Sequence, residues 1–207
     1  MNKMKKIKKY KNLIFAVILL IIYVFVFFFV PESNEKLALN PEKTDEAWRF
    51  GTYQFAHLNL KHLVENLIGF SLLAVIAFEL KTFFTEFSST YLSSGLLSVL
   101  PMWLISPFTA LGASNAIFGG FGLISQETKK YKINGWLIIL LLTGLIFIKT
   151  IVNYFSYGAG SDDFIFAFKQ GIAHFSGLMF GVGFFYFIKW AKPILTKKKR
   201  EILRRSG

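Results

Sequence analysis

The 207-residue chain has no cysteine, so disulfides, thiolate nucleophiles and cysteine-bound metals are excluded, while the redox compartment stays open. Histidine is almost as scarce: His57, His62 and His174 are the three present, and no HExxH segment exists that could hold a peptidase zinc. Acidic residues number 12 against 24 lysines and arginines. The adjacent pair Asp162 and Asp163 lies in a polar stretch between apolar runs, which argues against chemistry needing two buried aspartates. No internal repeat is visible, so no solenoid or duplicated architecture is expected.

Apolar sequence dominates what remains. Hydrophobic residues make up 54%, phenylalanine alone accounts for 25 positions, and the mean hydropathy is +0.48, values that belong to a membrane protein. Five stretches have the length to cross a hydrocarbon core of about 30 Å: 12–30, 63–80, 91–105 with its flanks, 135–152 and 165–188. A sixth, 113–125, is shorter. The first is preceded by lysines as a secretory signal would be, but it is long and lacks a small-residue cleavage site, so a retained helix is expected.

Charge placement supports six crossings. Eighteen of the 24 basic residues fall before Asn12, at Lys81, at Lys129, Lys130 and Lys132, and from Lys189 to Arg205. Six alternating helices put all of these on one side, the cytoplasmic one. Glu32, Glu35, Glu42, Asp45, Glu46, Asp162 and Asp163 then lie outside. Five helices would separate the basic tail from the basic Lys129 loop. The expected organisation is a basic cytoplasmic segment 1–11, a membrane domain 12–190 and a basic cytoplasmic tail 191–207, with disorder confined to the charged ends. The net charge of +12 is read as topology signalling and contact with an anionic lipid bilayer, not nucleic-acid binding. The long external loop 31–56 is expected on the membrane surface through Leu37, Leu39, Phe50 and Phe55, with Trp48 and Arg49 at headgroup level and His57 ordering the loop.

Polar groups within the bilayer are costly and default to functional candidates. His62 and Asn66 share one face of a helix, as do His174, Gly177 and Gly181; Ser114 opens the short sixth segment after Gly112. Ser114 precedes Lys129 by fifteen residues, His174 precedes Lys189 by fifteen, and Asn66 precedes Lys81 by fifteen. At a rise of about 1.5 Å per residue the three lie in one layer, roughly 8 Å below the outer border. The irregular segment 107–112 above Ser114 must then line a cavity or be buried in protein. Each residue taken singly also suits helix packing; their common depth argues for a site. An imidazole can take the hydroxyl proton as serine attacks and return it to a leaving amine, which assigns Ser114 and His174 as nucleophile and base. His62, Asn66 and the Ser114 backbone N–H are the donors for a tetrahedral oxyanion. With no carboxylate at that depth a dyad is expected, and Phe118, one turn from Ser114, can pack on the imidazole.

Four motifs in order resemble the rhomboid proteases. Trp48-Arg49 with Thr52, Phe55 and His57 resembles the family's WR signature, His62-Leu-Val-Glu-Asn66 its HxxxN, Gly112-Ala-Ser114 the start of its GxSG, and Ala173-His174 with Gly177 and Gly181 its AHxxGxxxG. The resemblance implies an all-α, six-transmembrane-helix bundle with a short, recessed fourth helix, and Ser114 and His174 as catalytic pair beside His62 and Asn66. It implies single-pass membrane proteins as substrates, cut near the outer face beside mobile helices two and five, with no cofactor and no metal. No oligomer is implied. The sequence departs from the pattern at Asn115, where the family usually has glycine; the larger side chain either crowds His174 or adds a hydrogen bond. Phe118 replaces a common tyrosine, losing a hydroxyl and keeping the ring. Alternative readings are a catalytically silent rhomboid-like protein that binds transmembrane helices and, less well supported for want of inverted repeats, a transporter.

Overall fold

Where water is absent a spanning segment must satisfy its own backbone N–H and C=O groups, and a long apolar run does so as a helix. The computed structural model, which describes residues 3–157 and 160–205, follows this rule. Its helices are α1 (Lys3–Phe29), α2 (Ser33–Leu37), α3 (Arg49–Thr52), α4 (Leu60–Glu79), α5 (Phe84–Leu97), α6 (Leu100–Ile105), α7 (Ser114–Glu127), α8 (Gly135–Tyr157) and α9 (Ser161–Arg205). Short 3-10 turns follow α3 and α7. Among the described residues there is no strand, and a lone antiparallel bridge joins Leu39 to Ala110.

Among the described residues, four helices contain segments long and apolar enough to cross a membrane: Tyr10–Phe29, Leu60–Glu79, Gly135–Ser156 and Ser161–Ile194. Their outward faces carry exposed Ile21, Phe25, Ile68, Leu140, Phe147 and Phe187, surface that water would penalise and lipid accepts. The chain is thus a membrane protein. α5 and α7 are 14 residues each, short of that length.

The expected span 91–105 is corrected. α5 begins at Phe84 and stops at Leu97, and α6 restarts at Leu100. Pro101, in the first turn of α6, has no N–H and its ring would clash with the carbonyl four residues back, that of Leu97. The charged ends are corrected too: residues expected to be disordered continue as helix, from Lys3 in α1 and through Arg205 in α9.

Helix α7 is buried along most of its length and packs against α4, α5, α8 and α9, while α1 covers α4 and α5. Glycines let α7 and α9 meet backbone to backbone. A Cβ on Gly177 would stand 2.5 Å from the Asn115 carbonyl oxygen, and one on Gly181 would overlap that of Gly119. On the other flank Tyr23 of α1 and Tyr91 of α5, both fully buried, share a hydrogen bond of 2.7 Å.

The loop 31–56 is more deeply built in than its composition suggests. Arg49, expected at headgroup level, is 2% exposed. Its Nε donates to Glu46 at 2.6 Å and its Nη1 to the carbonyls of Glu35 and Ala38 at 2.8 and 2.7 Å. A planar guanidinium can bind a carboxylate and two carbonyls at once, and here all three partners come from the loop itself. Trp48 does remain exposed, with the Arg49 guanidinium 4.7 Å from its ring centre. Leu39, expected on the membrane surface, is buried with Tyr53, Val99, Trp103, Phe108 and Ala110. The bridge to Ala110 places it there.

Candidate active site

The loop and two helix starts together form the site. Leu39 and Ala110 exchange backbone hydrogen bonds of 2.9 and 3.0 Å, and the Gly112 N–H donates to the Tyr53 carbonyl at 3.0 Å, so the loop 38–56 holds the segment 107–112 in place. Gly112 turns the chain with φ +97°, a conformation that glycine adopts without strain. A Cβ there would also lie 2.5 Å from His62 Cε1 and 3.4 Å from Asn66 Nδ2. Helix α7 begins two residues on, at Ser114, where the first backbone N–H groups have no acceptor within the helix.

Across from it α9 presents His174. Ser114 Oγ and His174 Nε2 share a hydrogen bond of 2.8 Å. Phe118 lies against the imidazole with ring centres 5.1 Å apart and planes inclined by 36°. Among the described residues no carboxylate forms an ion pair with His174. His174 is itself buried, and Gly177, the next turn of α9, sets its distance from α7.

Helix α4 contributes His62. Asn59 caps this helix by accepting the His62 N–H at 2.9 Å, which fixes His62 in the first turn. His62, Ser114, Asn115 and His174 line one cavity of about 250 Å³, whose roof is the segment 108–111. Asn66 does not line it. Its Nδ2 donates instead to the His62 carbonyl at 2.9 Å, and its side chain is buried beneath Gly112.

Asn115 turns its side-chain amide to the loop. Its Nδ2 donates to the Tyr53 hydroxyl at 3.2 Å, so of the two outcomes open at this position the structure shows the added hydrogen bond. His57 lies behind the cavity, 1% exposed, with Nδ1 3.3 Å from the Phe55 carbonyl and its ring edge-on to Tyr23 and His62. Burial, and to a lesser degree the neighbouring His62, pushes its pKa down to about 4 against the opposing pull of the Phe55 carbonyl.

Among the cavity residues that escaped the sequence reading are Glu65 and Lys149. Lys149 Nζ donates to Glu65 Oε2 at 3.1 Å, from α8 to α4, and both line the cavity. The signal was present: Lys149 is the one charged residue between Gly135 and Ser156, and an ionisable group inside a span is itself a site marker.

A sequence profile of the Rhomboid domain matches residues 44–191, which covers the Ser114–His174 pair, every helix from α3 to α8 and most of α9. The chain belongs to the rhomboid family. No curated protein matches it.

Proposed function

We propose that this protein is an intramembrane serine endopeptidase that cuts single-pass membrane proteins in or near their transmembrane segments. The observation that carries the proposal is the 2.8 Å hydrogen bond between Ser114 Oγ and His174 Nε2 inside a cavity that also holds His62. With the proton of the imidazole on Nδ1, Nε2 accepts from the hydroxyl and receives its proton as Ser114 attacks the peptide carbonyl. The same imidazole then protonates the departing amine, and water releases the acyl group by the reverse sequence. The Ser114 N–H at the start of α7 and the His62 side chain stabilise the oxyanion. Asn66 acts through His62, whose carbonyl it holds. Rhomboid membership supports this chemistry, since the family consists largely of such proteases. No step calls for a cofactor or metal.

The topology proposed is six crossings: α1, α4, α5 with α6, α7, α8 and α9, of which α7 is recessed so that water reaches Ser114 from outside. Both termini then face the cytoplasm, where their lysines and arginines meet anionic lipid in the cell membrane. The segment 12–190 forms the membrane domain, flanked by the basic ends 1–11 and 191–207.

The test is cleavage of a single-pass reporter, with glycine or proline near the outer end of its helix, in liposomes. Wild type cuts it, while Ser114→Ala and His174→Ala do not. Cleavage surviving Ser114→Ala would refute the serine mechanism. Binding of the reporter without cleavage, together with no labelling of Ser114 by a fluorophosphonate, would replace it with a helix-binding role.

A further inference from the structure

Lys149 sits fourteen residues into α8, or about 21 Å along it. A lysine at that depth is costly unless it faces a cavity or a partner, and here it has both. It begins a polar stripe, Lys149, Asn153 and Ser156, on the cavity side of α8, whereas the neighbouring Ile148, Ile151, Val152 and Phe155 are exposed apolar residues that do not line the cavity. Its carboxylate partner, Glu65, comes from α4, three residues after His62. The pair therefore lies across the same space as Ser114 and His174.

The pair is open enough to exchange. The lysine and glutamate side chains are 38% and 43% exposed, and an ion pair this open is weaker than a buried one. Lys61, one turn before Glu65 on the same helix, also lines the cavity. If Glu65 leaves Lys149 it has a second cation within one helical turn.

We propose that Lys149 is a specificity-determining residue that receives an acidic side chain from the polypeptide segment bound in the cavity, its place being held by Glu65 when no segment is bound. This rests on the proposed binding of membrane-protein segments beside Ser114. An arriving aspartate or glutamate replaces Glu65 on Lys149 while Glu65 turns to Lys61, so each carboxylate keeps a cation. A neutral segment must instead separate Lys149 from Glu65 and offer nothing in return, and a basic one brings a like charge beside Lys149. Discrimination thus comes as much from the uncompensated charge as from the new contact.

The experiment measures binding, so that it does not depend on catalysis. Ser114→Ala protein in lipid nanodiscs is titrated with single-pass peptides that differ by one residue, Asp, Asn or Lys, placed in turn at each position of the outer third of the helix. At one or more positions the Asp peptide should bind about tenfold more tightly than the Asn peptide, the strength of one exchanged charge-assisted contact. Lys149→Met should abolish the difference, and the reversed pair Lys149→Glu with Glu65→Lys, combined with Lys61→Glu to receive the displaced lysine, should favour the Lys peptide. That reversed pair retains the ion pair and so keeps the test decisive where Lys149→Met folds poorly. Equal binding of Asp and Asn peptides at every position, a preference that survives Lys149→Met, or no binding of any peptide would overturn the proposal. Cleavage by the parent protein, followed in parallel, separates the two readings. Preference without cleavage refutes the protease alone, and cleavage without preference refutes the role of Lys149 alone.

Discussion

Gly177→Ala should uncouple Ser114 from His174 without touching either. The added methyl would meet the Asn115 carbonyl oxygen at 2.5 Å, where ordinary contact begins at 3.4 Å, so α9 must retreat from α7 by ~0.9 Å. Backbone cannot swing aside as a flexible side chain would. Gly177 is one turn from His174, and Asn115 directly follows Ser114, so the retreat acts where the two side chains meet. Added to 2.8 Å, it takes the Ser114–His174 separation past about 3.5 Å, beyond hydrogen bonding. Overpacking of this kind costs about 1–3 kcal/mol, and a misplacement near 1 Å costs on the order of 100-fold in rate. The assay is the rate of fluorophosphonate labelling at Ser114, paired with thermal unfolding in detergent. Gly183→Ala is the matched control, because a Cβ there meets nothing within 4 Å. Labelling and melting of Gly177→Ala indistinguishable from Gly183→Ala would refute the reasoning.

Two further outcomes concern Arg49 and His57. Arg49→Lys should lower stability by about 2 kcal/mol, because one ammonium cannot reach Glu46 and the Glu35 and Ala38 carbonyls together. Limited proteolysis of the segment 40–47 should quicken in parallel, and unchanged nicking would contradict the buried placement of this arginine. His57 binds its proton less readily folded than unfolded, with a pKa of about 4 against 6.5, so the folded state is penalised as pH falls. Stability is full above pH 6.5 and declines towards pH 4, by up to about 3 kcal/mol from this residue. His57→Phe, which retains an aromatic ring beside Tyr23, should flatten that decline in detergent unfolding curves. An identical pH slope in the variant would show that His57 does not carry it.

Hydropathy and motif spacing made the helical, membrane-embedded character and the rhomboid relationship readable from sequence, because span length and helical period are properties of a single segment. The fifteen-residue intervals placing Ser114 and His174 at one depth were readable for the same reason: rise per residue converts sequence distance into height. Height says nothing of azimuth, so their 2.8 Å contact, the turn of Asn115 towards Tyr53 and the withdrawal of Asn66 from the cavity needed the packed bundle. The fate of Arg49 was likewise unreadable. Its choice between lipid phosphate and loop carbonyls depends on whether residues 35, 38 and 46 converge on it, and the Leu39–Ala110 bridge, which joins residues far apart in the chain, anchors the loop that brings them together. The sequence by itself determined that long apolar segments make the chain a membrane protein and which polar residues lie among them. The tertiary structure decided which of those residues meet, as Glu65 and Lys149 do from different helices, because partner choice depends on how helices are rotated and packed and not on any one helix.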